Sequence, residues 1–116
     1  MEIEIHEESA DQLGAYARVP IAFRVNRALE VVVLDRGFGG FALRERPVEP
    51  PWTKDYDAIA GNRPDEWPGR FDVSSWGFLC ARIDGGRVGG ATIALRTPGV
   101  LLLGGRHDLA ALWDLR

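Results

Sequence analysis

The sequence predicts an α+β domain with a mostly antiparallel sheet and one or two short helices. Three observations carry that reading. Runs rich in β-branched and aromatic residues recur, and turn residues such as Asp35-Arg36-Gly37 and Asp84-Gly85-Gly86 join them as hairpins. Helical spacing is confined to one early segment, so no strand–helix–strand alternation demands a parallel sheet. Gly (14) and Pro (7) exceed average usage, as expected of short strands separated by many turns.

Ile3 and Ile5 alternate with Glu2, Glu4 and His6, the period of a half-buried strand, and its shortness suits an edge. Ser9 and Asp11 stand at N-cap positions. Leu13, Tyr16 and Ala17 then share one helical face before Pro20, which predicts a helix of two or three turns. Phe23 to Leu34 and Phe41 to Glu45 read as the arms of a hairpin around Asp35–Gly40. Five of the seven prolines fall between Arg46 and Arg70 (47, 50, 51, 64 and 68), so about 46–75 reads as a long Pro/Trp-rich surface loop with a helical turn at Tyr56–Ala60. Such a loop is either functional or a plain connector. Trp76–Ile83 and Arg87–Arg96 around Asp84-Gly85-Gly86 form the strongest hairpin signal. After Thr97-Pro98-Gly99, Val100–Leu103 reads as a continuing strand, Gly104–Asp108 as a turn, and Leu109–Leu115 as a last apolar strand.

Composition narrows function. The chain has 116 residues, 46% hydrophobic and 27% charged, the profile of one globular domain spanning 1–116. A net charge of −3 lacks the basic footprint of nucleic-acid binding, and no membrane-spanning run is present. The lone Cys80 and an N-terminus without signal-peptide layout point to the cytoplasm. Cys80 lies among Phe78, Leu79 and Ile83 and reads as a structural thiol. Two histidines and one cysteine give no metal-ligand spacing. The clusters Gly37–Gly40 and Gly85–Gly90 sit in hairpins and open no helix, so they read as turns rather than phosphate loops. Trp52, Trp67 and Trp76 flank or occupy the long loop and either wall a ligand pocket or fill the core beneath it. Asp55, Asp57, Asp65, Glu66 and Asp72 make that region acidic, suited to a cationic ligand or simply solvated.

Pro50-Pro51-Trp52-Thr53-Lys54-Asp55-Tyr56, Phe71-Asp72-Val73-Ser74-Ser75-Trp76, the Asp84–Gly90 hairpin and Leu112-Trp113-Asp114-Leu115-Arg116, in this order and spacing, resemble the GNAT superfamily of acyl-coenzyme A transferases, in its streptothricin acetyltransferase-like branch. The resemblance implies the N-terminal, acceptor-side half of a GNAT acyltransferase fold, with ancestral transfer of acetyl from acetyl-CoA to a small-molecule primary amine. It places Asp114 where the branch has the aspartate of a Glu-Asp pair that takes the amine proton, Trp113 standing in the glutamate's place. Leu115 falls where strand backbone binds the acetyl-CoA thioester and pantetheine arm. Both positions also suit an ordinary strand end. Trp52, Asp55, Tyr56 and Trp76 are the expected acceptor-binding residues.

The Gly-rich pyrophosphate loop of the family has no counterpart in the sequence, so the chain reads as truncated, inactive alone and without bound acetyl-CoA. Three readings follow: an interrupted enzyme, a half completed by a separate chain, or a noncatalytic module for a cationic small molecule or protein partner. The last strand, with Leu112, Trp113 and Leu115, is expected to pair across a two-fold axis into a homodimer or higher oligomer.

Overall fold

The computed structural model describes Met1–Arg116 throughout, and the backbone forms two compact units, Met1–Ile21 with Tyr56–Arg116, and Ala22–Asp55. The first holds a four-stranded antiparallel sheet in the order β1-β4-β5-β6, built from β1 (Ile3–Glu8), β4 (Gly77–Ile83), β5 (Gly86–Leu95) and β6 (Ala110–Leu115). The second is a two-stranded ribbon of β2 (Phe23–Val33) and β3 (Phe41–Lys54). The fold class is therefore the α+β, mostly antiparallel one expected. No helix is long and apolar enough to cross a membrane.

One face of the sheet is covered. Phe78, Cys80, Gly90, Thr92, Ala94 and Ala111 alternate onto it, and α1 (Leu13–Tyr16) with the 3-10 turn Pro64–Gly69 packs against it. Aromatic rings fill the layer. Tyr16, Trp67, Trp76 and Phe78 follow one another at centroid separations of 6.1, 6.0 and 6.5 Å, and Trp76, Phe71 and Trp113 close a second group. The buried indoles still find acceptors: Trp67 Nε1 donates to the Asn62 carbonyl (2.9 Å) and Trp76 Nε1 to Thr97 Oγ1 (2.6 Å). Of the two sequence readings of the tryptophans, Trp67 and Trp76 follow the core one.

Tyr16 reaches the sheet because Gly90 leaves room for it. A Cβ at Gly90 would lie 2.4 Å from Tyr16 Cε2 and 2.8 Å from the Leu79 carbonyl oxygen. At the β1 edge, Glu8 closes an ion-pair cluster with Arg87 (2.7 Å) and Arg82 (3.3 Å). Burial alone would raise the Glu8 carboxyl; hydrogen bonds and charge from Arg87 and Arg82 outweigh it and hold the group below its usual 4.5.

Three expectations are corrected. The 46–75 loop begins later, because β3 runs on to Lys54 through Pro47, Pro50 and Pro51, paired with β2 across a bulge between Val25 and Arg27. A two-stranded ribbon has only edge strands, where a proline's missing N–H can face outward. Val100–Leu103 is no strand: Leu101–Leu103 forms a 3-10 turn that buries Leu103 and leaves Leu101 and Leu102 exposed. The early helix is short, a 3-10 turn at Ala10–Gln12 followed by α1. Along the ribbon, the cross-strand pairs Val33/Phe41, Val31/Leu43 and Leu29/Glu45 share one face, so five large apolar side chains stand exposed in a row.

Gly90→Ala should cost about 1–3 kcal/mol, because ring and carbonyl must both shift; urea denaturation measures it. Glu8 has a depressed carboxyl, so its contribution is fully present above about pH 4.5 and is lost as pH falls through the folded value. Glu8→Gln should therefore lower neutral-pH stability by about 1–3 kcal/mol and flatten the decline below pH 4.5.

Candidate functional site

β6 carries the two residues that the sequence singled out, and the register separates their roles. Gly90 and Arg116 exchange both backbone hydrogen bonds (2.7 and 2.9 Å). Leu115, opposite Ala91, is then a non-bonded pair, so its N–H and C=O point away from β5 to the open edge of the sheet. Its side chain stands exposed on the uncovered face. Asp114, opposite Thr92, faces the covered side. A register shift at this point leaves Trp113 extra, and its ring joins Phe71 (5.4 Å) and Trp76 (5.8 Å) instead of lying beside Asp114 as a second polar group.

The Asp114 carboxylate accepts from three donors. Tyr16 Oη lies 2.7 Å from Oδ2, Arg116 Nε 2.9 Å from Oδ2, and Arg116 Nη2 3.1 Å from Oδ1. The same guanidinium donates to both oxygens of Asp57 at 3.0 Å, and Nη1 also to the Val19 carbonyl at 3.0 Å. It lies over the Tyr16 ring, 5.1 Å from its centroid, with its side chain 0% exposed. Burial opposes the Arg116 charge, but the Asp114 and Asp57 carboxylates outweigh it and hold the proton more firmly than usual. Burial first, then the hydrogen bond to Asp114, push the Tyr16 hydroxyl well above its ordinary value, so it remains a donor. A fixed carboxylate with a protonated phenol thus lies one residue from outward-facing strand amide groups.

The acceptor-binding candidates are distributed. Trp52 sits on β3 opposite Val25, half exposed, with Asp55 just beyond the strand; both belong to the ribbon unit. Tyr56 opens a 3-10 turn of the sheet unit, and Trp76 is 7% exposed within the core. One edge of Trp76 lines a shallow hollow of about 500 Å³ with Glu7, Glu8, Ser74 and Phe78. Most of the acidic loop residues already have partners within the chain. Asp57 binds Arg116, Asp65 binds Arg63 (3.1 Å), Glu66 accepts from the Gly61 amide (2.6 Å), and Asp72 from that of Ser74 (3.0 Å). Sequence reasoning missed Tyr16 and Arg116 as partners of Asp114. Tyr16 read as core, and no local pattern signals a contact 98 residues away.

Arg116→Ala should be among the most damaging single changes, costing about 3–5 kcal/mol, because it strands two carboxylates around a buried vacancy. Arg116→Lys should recover little, since one ammonium cannot bridge two carboxylates with forked bonds. Thermal and urea unfolding of both variants measure this.

The sequence matches no protein-family model and no curated protein. Solved structures do share the fold. Nourseothricin acetyltransferase superposes with a TM-score of 0.51 at 19% identity, over 82% of this chain and 46% of its own. A Bacillus anthracis protein assigned as a streptothricin acetyltransferase, solved with acetyl coenzyme A, superposes with a TM-score of 0.56 at 14% identity, over 98% of this chain and 55% of its own. The chain spans about half the length of these neighbours. Residues 1–116 thus carry a partial fold like that of the streptothricin-type acetyltransferases.

Proposed function

We propose that this chain is the acceptor-side half of a GNAT-type N-acetyltransferase acting on the primary amine of a small molecule. One observation carries the reading: Asp114, held by Tyr16 and Arg116, lies beside the outward-facing N–H and C=O of Leu115 on a free strand edge. When bound, acetyl-CoA supplies an activated thioester. Amine attack forms a C–N bond and breaks the C–S bond, and the nitrogen must shed a proton. Asp114 draws that proton, directly or through water. Leu115 aligns amide groups of an extended pantetheine arm by strand-like hydrogen bonds. Trp52, Asp55, Tyr56 and Trp76 are the proposed acceptor-binding residues.

Residues 1–116 fit the donor only in part. The glycine turns close hairpins or 3-10 turns, and α1 has only four residues, so none of them offers helix-terminal amides to a pyrophosphate. We therefore propose that this chain alone neither holds acetyl-CoA nor turns it over. The fully buried thiol of Cys80 suits a reducing, cytoplasmic setting. A second reading, a noncatalytic module for a cationic small molecule, is favoured by the hollow that joins Glu7 to the edges of Trp76 and Phe78.

Calorimetry with acetyl-CoA should show no binding tighter than about 100 μM; a dissociation constant near 1 μM would reveal a phosphate site elsewhere and overturn the half-fold reading. Tryptophan fluorescence titrated with a polyamine should respond at low salt and fade as salt rises. An equal response to anions would remove the cationic acceptor.

A further inference from the structure

Between the end of α1 and the start of β5 lies a hollow of about 310 Å³, lined by Ala15, Arg18, Val19, Pro20, Arg87 and Val88. It belongs to the covered side of the sheet, where α1 packs. Arg18, Pro20 and Val88 are its exposed members, and Arg87 is a buried one, with its side chain 10% exposed. Nη2 of Arg87 alone serves Glu8, at 2.9 Å from Oε1 and 2.7 Å from Oε2. Nη1 is enclosed and has no hydrogen-bond acceptor in the chain. A buried charged donor in that state calls for an acceptor from outside the fold. The Arg18 side chain makes no hydrogen bond or ion pair either.

The lining thus holds two guanidinium groups and no carboxylate. Carboxylates around it are already taken: Glu8 by Arg87 and Arg82, and Asp57 and Asp114 by Arg116. Glu4, opposite Arg82 on β1, is turned to His6. Two backbone carbonyls of the lining are engaged as well, Ala15 with the Arg18 amide (3.2 Å) and Val19 with Arg116 Nη1 (3.0 Å). Arg18 is left as the unmatched cation of the lining. One spare charge and two spare donors match a carboxylate, whose two oxygens each accept an N–H, better than a phosphate dianion with more charge and more oxygens to satisfy.

We propose that this hollow binds a small aliphatic monocarboxylate, with its oxygens received by Arg87 Nη1 and Arg18 and its apolar body by Ala15, Val19, Pro20 and Val88. The site needs neither acetyl-CoA nor Asp114, so its test stands apart from that of acetyl transfer.

Titrating the chain with isobutyrate, followed by proton–nitrogen correlation NMR of backbone amides and arginine Nε–H groups, should shift Arg18, Arg87 and Val88 with a dissociation constant of about 1 mM. Sodium chloride at equal ionic strength should leave those signals in place. Arg18→Gln removes a donor without a partner in the fold and should weaken binding about tenfold. Val88→Asp, at a half-exposed position, sets a like charge against the ligand and should weaken it by about tenfold or more; it stands in if Arg18→Gln does not fold. Circular dichroism checks folding. No shift at about 20 mM isobutyrate overturns the proposal, as does an equal shift with chloride. Folded variants that bind like the parent overturn it too, for the anion then sits elsewhere. Phosphate that binds more tightly than isobutyrate rules out the monocarboxylate.

Discussion

A four-stranded sheet has to shield at least one face from water, and here very little helix is available to do it. α1 offers four residues and the turn Pro64–Gly69 six. Rings make up the deficit. Tyr16, Trp67, Phe71, Trp76, Phe78 and Trp113 bring large apolar surfaces from short segments, and their tilted and edge-on contacts knit turn, helix and strands into one layer. Other details answer to that layer. Gly90 has no side chain because Tyr16 occupies the space, Thr97 accepts from the Trp76 indole, and the irregularity in β6 turns Trp113 inward.

Behind the rings lies the Arg116 cluster, which joins three regions distant in sequence. The guanidinium takes Asp114 from β6, Asp57 from the loop and the Val19 carbonyl from the segment after α1, while Tyr16 contributes a ring face and a hydroxyl. A cation this deeply enclosed is tolerated because both forks of the guanidinium are filled. For the acetyl-transfer reading, the consequence is positional accuracy: Asp114 is held from two directions before any substrate arrives, and its strand neighbour keeps its backbone groups turned to the open edge.

The local parts of this architecture were legible in the sequence, and the distant ones were not. The β4–β5 hairpin could be read because its turn needs positive φ at Asp84 and Gly85, conformations that those residue types accept. β3 beyond Arg46 could not, since Pro47, Pro50 and Pro51 look like a loop unless the strand is known to have a free edge. Leu101–Leu103 was read by apolarity alone, whereas only Leu103 of that run is buried. Asp114 and Leu115 were singled out through resemblance. Tyr16, which donates to Asp114, and Asp57, which shares the Arg116 guanidinium with it, were invisible because both lie far away along the chain. The acidity of the loop was legible, but the two arginines, Arg63 and Arg116, and the backbone amides that absorb most of it were not.

The antiparallel pairing of β1 with β4 has a kinetic side. His6 lies opposite Cys80, so β1 cannot find its neighbour until more than 70 further residues have been made. Closing a loop of that length costs roughly 4 kcal/mol of chain entropy, and at about 5–20 residues per second of synthesis the wait is on the order of 4–15 seconds. The β2–β3 ribbon needs only a short turn and forms on the order of microseconds once it is clear of the ribosome. Vectorial synthesis therefore presents the ribbon behind a waiting strand, and for those seconds the backbone N–H and C=O groups that β1 later pairs with β4 stay open to water or to another chain.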